Sequence, residues 1–323
     1  MKRRWRGSSA GGQRGFALVA VLLVLGFVAV IGAEFAYSMR LEASAARVYK
    51  DTLIATHLAE AAVEQAIREL VVEFAFVGVG NDKDANPEVD CPLTFYSRER
   101  LAIKRLPHRD VALGGGQFTY CISDEEARLN LNGTTAERIG KLLEVIGLER
   151  QDRDVVVDSI QDWRDPNEDH RVNGAESEDT YLKRPIPYRS KNANLDSVNE
   201  LIQIKGVTTQ LLEGVEGRPG LADLVTTKPT SGVNINTARR EVLRALGLGD
   251  AELTEIEQQR RLGPYGQGHR FGGRGLTVTS RTFRIEAQGI VEGQVRARIT
   301  AIVQKRTDSG GETVAILEWS GLR

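Results

Sequence analysis

The sequence contains little of what most enzymes and metal proteins require. Among 323 residues there are two cysteines, four histidines and three tryptophans, and aromatic residues make up 6% of the chain. The histidines (His57, His108, His170 and His269) are scattered and form no ligand cluster. No H-E-x-x-H, C-x-x-C or P-loop motif is present, so zinc-peptidase, dithiol-redox and nucleotide-binding sites have no signature here. Nothing in the sequence predicts an enzyme.

Residues that break helices are also missing from the N-terminal part of the chain. No proline precedes Pro87, and no glycine lies between Ala33 and Phe76. In the second half of this stretch, apolar residues recur at the i, i+3, i+4, i+7 spacing of one buried helical stripe. The stripe comprises Ala59, Ala62, Val63, Ala66, Ile67, Leu70, Val71 and Phe74, and the charged residues Glu60, Glu64, Arg68 and Glu69 fall on the other side. We therefore predict one helix that continues to about Phe74.

Charge is absent from residues 16–33 (FALVAVLLVLGFVAVIGA). An apolar run of this length is typical of a membrane-spanning helix. The 15 preceding residues carry no acidic side chain but five basic ones, namely Lys2, Arg3, Arg4, Arg6 and Arg14. Basic flanks stay in the cytoplasm, so we predict a single-pass protein with a cytoplasmic N-terminus, a transmembrane part at residues 16–36 and the remainder outside.

The junction between Gly15 and Phe16 resembles the processing site of type IV pilin-like proteins, in which a basic leader ends in glycine before an unbroken apolar helix. The resemblance implies that prepilin peptidase cleaves after Gly15 and that the new N-terminal Phe16 is N-methylated. Most members of the family carry glutamate at mature position five, where this chain has Ala20. Its absence marks the K-type minor pseudopilins of type II secretion. A secretory signal peptide cut near Gly32 and Ala33 is the alternative.

The middle of the chain carries further motifs that resemble the K-type pseudopilins. Two similar stretches, LNLN at residues 129–132 and VNIN at residues 233–236, each precede a helical pattern whose N-terminus Asn and Thr side chains can cap. Residues 195–215 between them resemble a helix-hairpin-helix, or SAM-like, unit. The resemblance also covers DWRDP at 162–166, NGAE at 173–176, PY at 187–188 and KN at 191–192, and so extends over nearly the whole chain.

The net charge of the chain changes when the predicted leader is removed. Five of the 43 Lys and Arg residues lie in the leader, so the mature chain has 38 basic and 44 acidic residues, a net charge of −6. This balance argues against a nucleic-acid partner.

The state of the two cysteines depends on the compartment. In the cytosol Cys91 and Cys121 would be two thiols, but outside the inner membrane they can pair. A disulfide would close a loop of about 30 residues and add roughly 3–4 kcal/mol to the free energy of unfolding.

Residues 165–176 (DPNEDHRVNGAE) form a dense group of oxygen ligands. Asp165, Asn167 and Asp169 stand at positions 1, 3 and 5 and Glu176 at position 12, which is the spacing of an EF-hand calcium loop, and Asp179 is a reserve ligand. The turn position lacks the usual glycine. The resemblance to K-type pseudopilins implies structural calcium in this domain, and the hard oxygen ligands favour calcium over zinc. From composition alone, a solvated acidic loop is the simpler interpretation.

Alternating patterns predict four antiparallel strands, at residues 117–122, 277–290, 294–306 and 312–320. Residues 77–116 show no such pattern and are predicted to be irregular, and the glycine-rich residues 263–276 are predicted to be a flexible linker. The fold class is α+β. A long helix (residues 16–76) follows the leader (residues 1–15) and packs on a pilin-like head (residues 77–122 and 277–323), into which a mostly helical domain (residues 123–276) is inserted.

The resemblance implies a non-enzymatic minor pseudopilin at the tip of the periplasmic pseudopilus, which initiates or caps assembly for protein export across the outer membrane. Implied partners are I- and J-type minor pseudopilins, prepilin peptidase, the inner membrane and secreted proteins. A membrane-anchored helix-hairpin-helix DNA-binding protein of competence type is the alternative, although Glu200, Glu213 and Glu216 surround the hairpin. A signal-anchored periplasmic enzyme is a third interpretation that no motif supports.

Overall fold

The computed structural model describes residues 13–79, 91, 93–308 and 311–321. Residues 1–12 of the predicted leader therefore lie outside the described residues. The chain divides into two compact units, residues 1–54 and residues 55–323. The first contains most of the apolar helix, and the second contains the end of that helix, the sheets and the inserted helices.

Helices and strands alternate in a way that sets the insert between two strands of one sheet. The helices are α1 (Gln13–Val71), α2 (Ala136–Val145), α3 (Arg150–Arg164), α4 (Thr209–Glu213), α5 (Leu221–Leu224), α6 (Arg240–Ala245) and α7 (Asp250–Leu262). The strands are β1 (Phe76–Val79), β2 (Leu93–Tyr96), β3 (Ala102–Ile103), β4 (Val111–Leu113), β5 (Gly116–Asp124), β6 (Leu129–Asn130), β7 (Gly214–Val215), β8 (Arg218–Pro219), β9 (Val225–Thr226), β10 (Val233–Asn234), β11 (Leu276–Thr277), β12 (Thr282–Val291), β13 (Gln294–Asp308) and β14 (Gly311–Gly321). The predicted α+β class with a long N-terminal helix is confirmed.

Helix α1 ends at Val71, three residues before the predicted Phe74. Its last turns present the expected small apolar stripe to the second unit, where Ala55, Leu58, Ala59, Ala62, Val63, Ala66 and Leu70 are buried. Two assignments were wrong. Val71 is exposed, and Glu69, predicted to face solvent, is only 6% exposed. Glu69 is buried because Arg105 and Tyr120 donate hydrogen bonds to its carboxylate.

The head sheet packs against the end of α1. Five antiparallel strands follow the order β14-β13-β12-β5-β4, so the four predicted strands are joined by β4, which the sequence pattern did not indicate. The turn between β12 and β13 is tight, since Glu292 and Gly293 both have positive φ (52° and 73°). Gly289 of β12 lets the helix approach closely, because a Cβ atom there would lie 1.8 Å from the carbonyl oxygen of Ala55.

A second, three-stranded sheet (β1-β2-β3) occupies part of the segment predicted to be irregular. That prediction was wrong because these strands are two to four residues long and too short to show an alternating pattern. An aromatic cluster joins this sheet to the head sheet. The Phe95 ring centroid lies 4.8 Å from that of Phe74 and 6.4 Å from that of Phe283.

The insert has one continuous apolar core, built from side chains of α2, α3, α6 and α7 and of the short segments between them. The glycine-rich residues 263–276 belong to this core, so the prediction of a flexible linker was wrong. Phe271 is 3% exposed, and the Gly275 carbonyl accepts a hydrogen bond of 2.9 Å from Val233 N–H. Glycines here allow positive φ, as at Gly275 (78°), while the backbone stays hydrogen-bonded.

Candidate functional site

One exposed apolar surface of the chain is the first part of helix α1. In the part of the chain that the structure describes, α1 is the one helix long and apolar enough to cross a membrane. Its most apolar 18-residue window has a mean hydropathy of 2.9, and none of that window is buried. Gly15 and Phe16 lie in the first turn of the helix, and Ala20 follows one turn later with its side chain exposed. An exposed apolar surface of this extent is expected to contact lipid or other helices.

The two cysteines form a disulfide between Cys91 and Cys121, whose Cα atoms lie 5.3 Å apart. It connects the segment before β2 to the middle of β5. The bond thus ties the small sheet to the head sheet. A disulfide is typical of a protein folded outside the cytosol.

The repeated asparagine motif of the insert makes the same contacts twice. The Asn132 side chain accepts from Leu195 N–H at 2.9 Å and donates to the carbonyls of Leu195 and Thr227. The Asn236 side chain likewise accepts from Tyr265 N–H at 2.6 Å and donates to the Tyr265 carbonyl. Each asparagine therefore fixes a distant backbone segment, and the sequence echo corresponds to a structural one.

The predicted capping role holds for one copy of the motif and not for the other. Thr135 caps α2, with its hydroxyl accepting from Arg138 N–H at 3.4 Å. In the second copy, α6 begins after Arg239 with no side-chain cap, and the Thr237 hydroxyl donates to the Asp124 carboxylate instead. The second copy is thus attached to the junction with the head.

Three consecutive buried acids form that junction, at the end of β5 where the chain enters the insert. Asp124 accepts hydrogen bonds from Ser280 Oγ (2.7 Å) and Asn234 Nδ2 (3.0 Å), and the next residue, Glu125, pairs with Arg284 of β12 at 3.0 Å. Glu126 accepts from three backbone N–H groups. Burial raises the pKa of both Asp124 and Glu126. No sequence pattern marked this cluster, because apart from Arg128 the partners named for it lie about 100 residues or more further along the chain.

The acidic loop after α3 is organised by Asp162, which is fully buried. Its carboxylate accepts from Arg171 N–H (3.1 Å) and Ala175 N–H (2.9 Å) and pairs with the Arg171 guanidinium at 2.6 Å. The loop turns at Gly174, where a Cβ atom would lie 1.8 Å from Asp162 Oδ2. Only glycine fits there without moving the carboxylate. These contacts explain why aspartate and glycine stand at these two positions.

The five predicted metal ligands do not converge on one point. Asp165 pairs with Arg171 at 2.7 Å, Asn167 Oδ1 accepts from Asp169 N–H at 2.8 Å, and Asp179 Oδ1 accepts from Glu176 N–H at 3.0 Å. Among the described residues no three His, Cys, Asp or Glu side chains form a group that could hold a metal ion. Calcium binding therefore stays a prediction.

Glu176 has the most unusual environment in the loop. It is 1% exposed, its Oε2 accepts from Ser190 Oγ at 2.6 Å, and its Oε1 is buried with no hydrogen-bond donor in the described chain. Burial, together with the charges of Asp162, Glu168 and Asp165, raises the pKa of Glu176 to about 7, although the Ser190 hydrogen bond opposes the shift. A buried carboxylate oxygen without a donor is costly unless it is protonated or bound to a cation.

Two residues that the sequence patterns did not single out as ligands adjoin Glu176. Glu168 accepts from Ser177 Oγ (3.1 Å), which contacts Ser190 Oγ at 2.7 Å, so the two glutamates share one hydroxyl network. Asn192 donates to Glu168 at 3.1 Å, while its own Oδ1 is buried without a donor and its φ is 50°. The EF-hand spacing skips Glu168, and only the KN motif marked Asn192.

The hairpin that suggested DNA binding contacts other parts of the same chain. Lys205 donates to the carbonyl oxygens of Asn173 (3.3 Å) and Gly174 (2.9 Å) in the acidic loop. The turn residue Gly206 has a φ of 86° and packs against Val155 and Val156 of α3. The lysine and the turn that a DNA-binding hairpin would present to phosphates are used here for internal packing.

Comparison with known proteins shows which family the chain resembles. Residues 123–217 match the family model of type II secretion system protein K. Type II secretion system protein K of Pseudomonas aeruginosa is 24% identical over 251 residues (73% of this chain and 68% of that protein), and that of Klebsiella pneumoniae is 26% identical over 265 residues (77% and 74%). A chain in the crystal structure of the GspK-GspI-GspJ complex from enterotoxigenic Escherichia coli shares the fold, with a TM-score of 0.59 and 17% identity over 87% of this chain and 99% of that chain. The chain is therefore similar to type II secretion system protein K, and its residues 123–217 match the model of that family.

Proposed function

We propose that this protein is a non-enzymatic minor pseudopilin at the tip of the type II secretion pseudopilus, where it initiates or caps filament assembly for export across the outer membrane. The leader is cytoplasmic, α1 crosses the inner membrane once, and the head lies in the periplasm. The match of residues 123–217 to the protein K family model and the exposed apolar helix support this arrangement.

The observation that carries the tip assignment is the alanine at position 20. A carboxylate near the start of a membrane helix costs a few kcal/mol unless a partner offsets it. In pilin-like subunits that partner is the N-terminal amine of the next subunit up the filament. A subunit with nothing above it has no such amine, so an apolar side chain is favoured. Residues 16–33 of this chain offer no other charged side chain that could replace the glutamate.

The size and attachment of the insert also favour the tip. Ion pairs across the boundary, Glu125 with Arg284 at 3.0 Å and Lys228 with Glu318 at 2.6 Å, hold the insert against the head strands. Glu125 is fully buried, so its pair resists separation more than an exposed pair would. A bulky domain fixed to each subunit would crowd a thin helical filament, but at the end of the filament it meets no neighbour above.

The proposed partners are the I- and J-type minor pseudopilins. This rests on analogy with the GspK-GspI-GspJ complex, one chain of which has a similar fold. Prepilin peptidase would act at Gly15, and secreted proteins would meet the exposed head. The DNA-binding alternative is disfavoured because Lys205 is already bound to loop carbonyls.

We also propose that the acidic loop binds calcium. Two buried oxygens without donors, Glu176 Oε1 and Asn192 Oδ1, together with the Glu168 carboxylate, fit the hard-ligand chemistry of this ion. Asp165, Asn167, Asp169 and Asp179 remain candidate ligands at the same loop. Bound calcium would neutralise the carboxylates and close the loop onto α3.

The tip assignment is tested by replacing Ala20 with glutamate in the source bacterium. The new carboxylate needs the amine of a subunit above, so Ala20→Glu should lower secretion or place the subunit along the filament. Ala20→Leu is the matched control, because it changes size and keeps the helix apolar. If Ala20→Glu assembles and secretes like the parent, position 20 says nothing about the tip.

A further inference from the structure

A cleft of about 420 Å³ lies beside the junction between the insert and the head. The insert lines one side with Pro229, Thr230 and Ser231, and the head lines the other with Arg281 and the end of β13. The remaining lining residues are Glu126, Gln304, Lys305, Arg306 and Thr307. The lining is therefore polar and contains three basic side chains for one acidic one.

The backbone places two of these basic residues opposite each other. Lys305 N–H donates to the Arg281 carbonyl at 2.7 Å, one position beyond the Thr282–Gln304 pair of strands β12 and β13. Like charges at facing positions of an antiparallel pair repel and destabilise the sheet. This repulsion is relieved when one of the two charges is paired elsewhere in the protein.

Lys305 is neutralised within the protein, but the arginines are not. Lys305 is 9% exposed, donates to the Val72 carbonyl at 3.0 Å and lies 3.8 Å from the Glu312 carboxylate. Glu126 is occupied by backbone N–H groups, including that of Arg281 at 2.8 Å. In the described part of the chain, neither the Arg281 nor the Arg306 guanidinium forms an ion pair, and Arg306 Nε donates to the Gln304 amide oxygen at 3.2 Å.

We propose that this cleft binds an oxyanion, of the carboxylate or phosphate class, between the two arginines of the head and the hydroxyl groups of Thr230 and Ser231. Guanidinium groups and hydroxyls are the donors that recognise such groups in proteins. An ion held here would contact both the insert and the head, so it would stabilise their junction. The source of the oxyanion is either a free ion or an acidic side chain of a neighbouring protein.

The test is a binding titration of the full-length protein in detergent at constant ionic strength. Backbone NMR or calorimetry detects the binding. One arm uses inorganic phosphate and the other a capped tetraglutamate peptide, each against chloride. We expect saturable binding in at least one arm. The affinity should be about tenfold weaker in each single variant, Arg281→Gln and Arg306→Gln, because each removes a charge-assisted hydrogen bond. Arg298→Gln, an exposed arginine on the same strand outside the cleft, should bind like the parent.

The two arms distinguish the sources. Phosphate binding identifies a site for a free ion, and binding of the peptide alone identifies a docking point for an acidic segment. Failure of both ligands to saturate would overturn the proposal. So would equal binding by the parent and both cleft variants, or a loss in Arg298→Gln of the same size, since either result would mean general charge attraction. None of these outcomes depends on whether the subunit occupies the filament tip.

Discussion

The hydroxyl of Tyr120 donates a hydrogen bond of 3.0 Å to the carboxylate of Glu69, which joins strand β5 to the last turns of helix α1. Arg105 completes the arrangement with bonds of 2.9 and 3.0 Å to the two oxygens of the same carboxylate. Burial, followed by the charge of Glu69, raises the pKa of Tyr120, so the tyrosine remains a donor at neutral pH. The helix and the head are thus linked by a satisfied, buried ion pair as well as by apolar packing.

The first prediction separates the ion pair from the hydrogen bond. Glu69→Ala should lower the free energy of unfolding by about 3–5 kcal/mol, because it leaves the largely buried Arg105 charge without its carboxylate partner. Tyr120→Phe should cost only about 1 kcal/mol, because Arg105 still satisfies the carboxylate. Denaturant titration of the purified protein in detergent measures both, with exposed Glu64→Ala as the control. Equal losses for Glu69→Ala and Glu64→Ala would contradict this account.

Sequence patterns predicted the parts of the fold that repeat over many residues. The stripe on α1 and the strands β12, β13 and β14 run for ten residues or more, so their periodicity is clear. The burial of Glu69 was missed because it depends on Arg105, 36 residues away. Strands β1 to β3 were missed because their pairing, rather than their composition, makes them strands.

The candidate site residues divide in the same way, into local sequence features and contacts between distant parts of the chain. Gly15, Phe16 and Ala20 could be proposed from the sequence because an apolar run and its basic flank are linear features, and their roles stay predictions. Glu168 and Asn192 meet only because the chain returns 24 residues later, so no spacing template includes both. The same holds for the junction, where Asp124 meets Ser280 across 156 residues.

The second prediction concerns pH and the junction. Burial raises the pKa of Asp124, so the folded state binds its proton more tightly than the unfolded state does. That contribution to stability is full below the pKa of an unfolded aspartate and is lost as pH rises through the folded pKa. We therefore expect Asp124→Asn to remove a component of stability that falls with rising pH, as measured by denaturant titrations from acid to neutral pH.

Glu125 provides the matched control of opposite sign. Burial raises its pKa, but the charges of Arg128 and Arg284 outweigh that effect, so the net pKa of Glu125 is lowered. Its contribution is present above the pKa of an unfolded glutamate and is lost as pH falls. Glu125→Gln should therefore remove a component that rises with pH. Identical pH profiles for the two variants would contradict the assignment.

The third prediction concerns calcium at the acidic loop. A bound ion stabilises the folded chain by about 2.7 kcal/mol at a hundredfold excess over its dissociation constant. We expect a strong chelator to lower the melting temperature of the parent. The same treatment should leave Glu176→Gln and the double variant Asp165→Ala with Asp169→Ala unchanged. Glu178→Gln, an exposed neighbour paired with Arg189, should respond like the parent. A parent protein whose melting ignores the chelator would indicate a solvated acidic loop.

The fourth prediction concerns processing. Cleavage between Gly15 and Phe16 should yield a mature chain that begins with N-methylated phenylalanine. Intact-mass analysis of the protein from its native membrane measures this directly. A mature chain that begins near Ala33 would indicate a secretory signal peptide and would remove the membrane helix on which the pseudopilin assignment depends.

The proposed place of this subunit is the filament tip, and locating the subunit on isolated pseudopili is the direct test. Gold-labelled antibodies against residues 123–276 should mark one end of each filament in electron micrographs, because a single subunit caps the assembly. Antibodies against the major pseudopilin should label the same filaments along their length. Label from the insert distributed along the filament, or absent from both ends, would contradict the account.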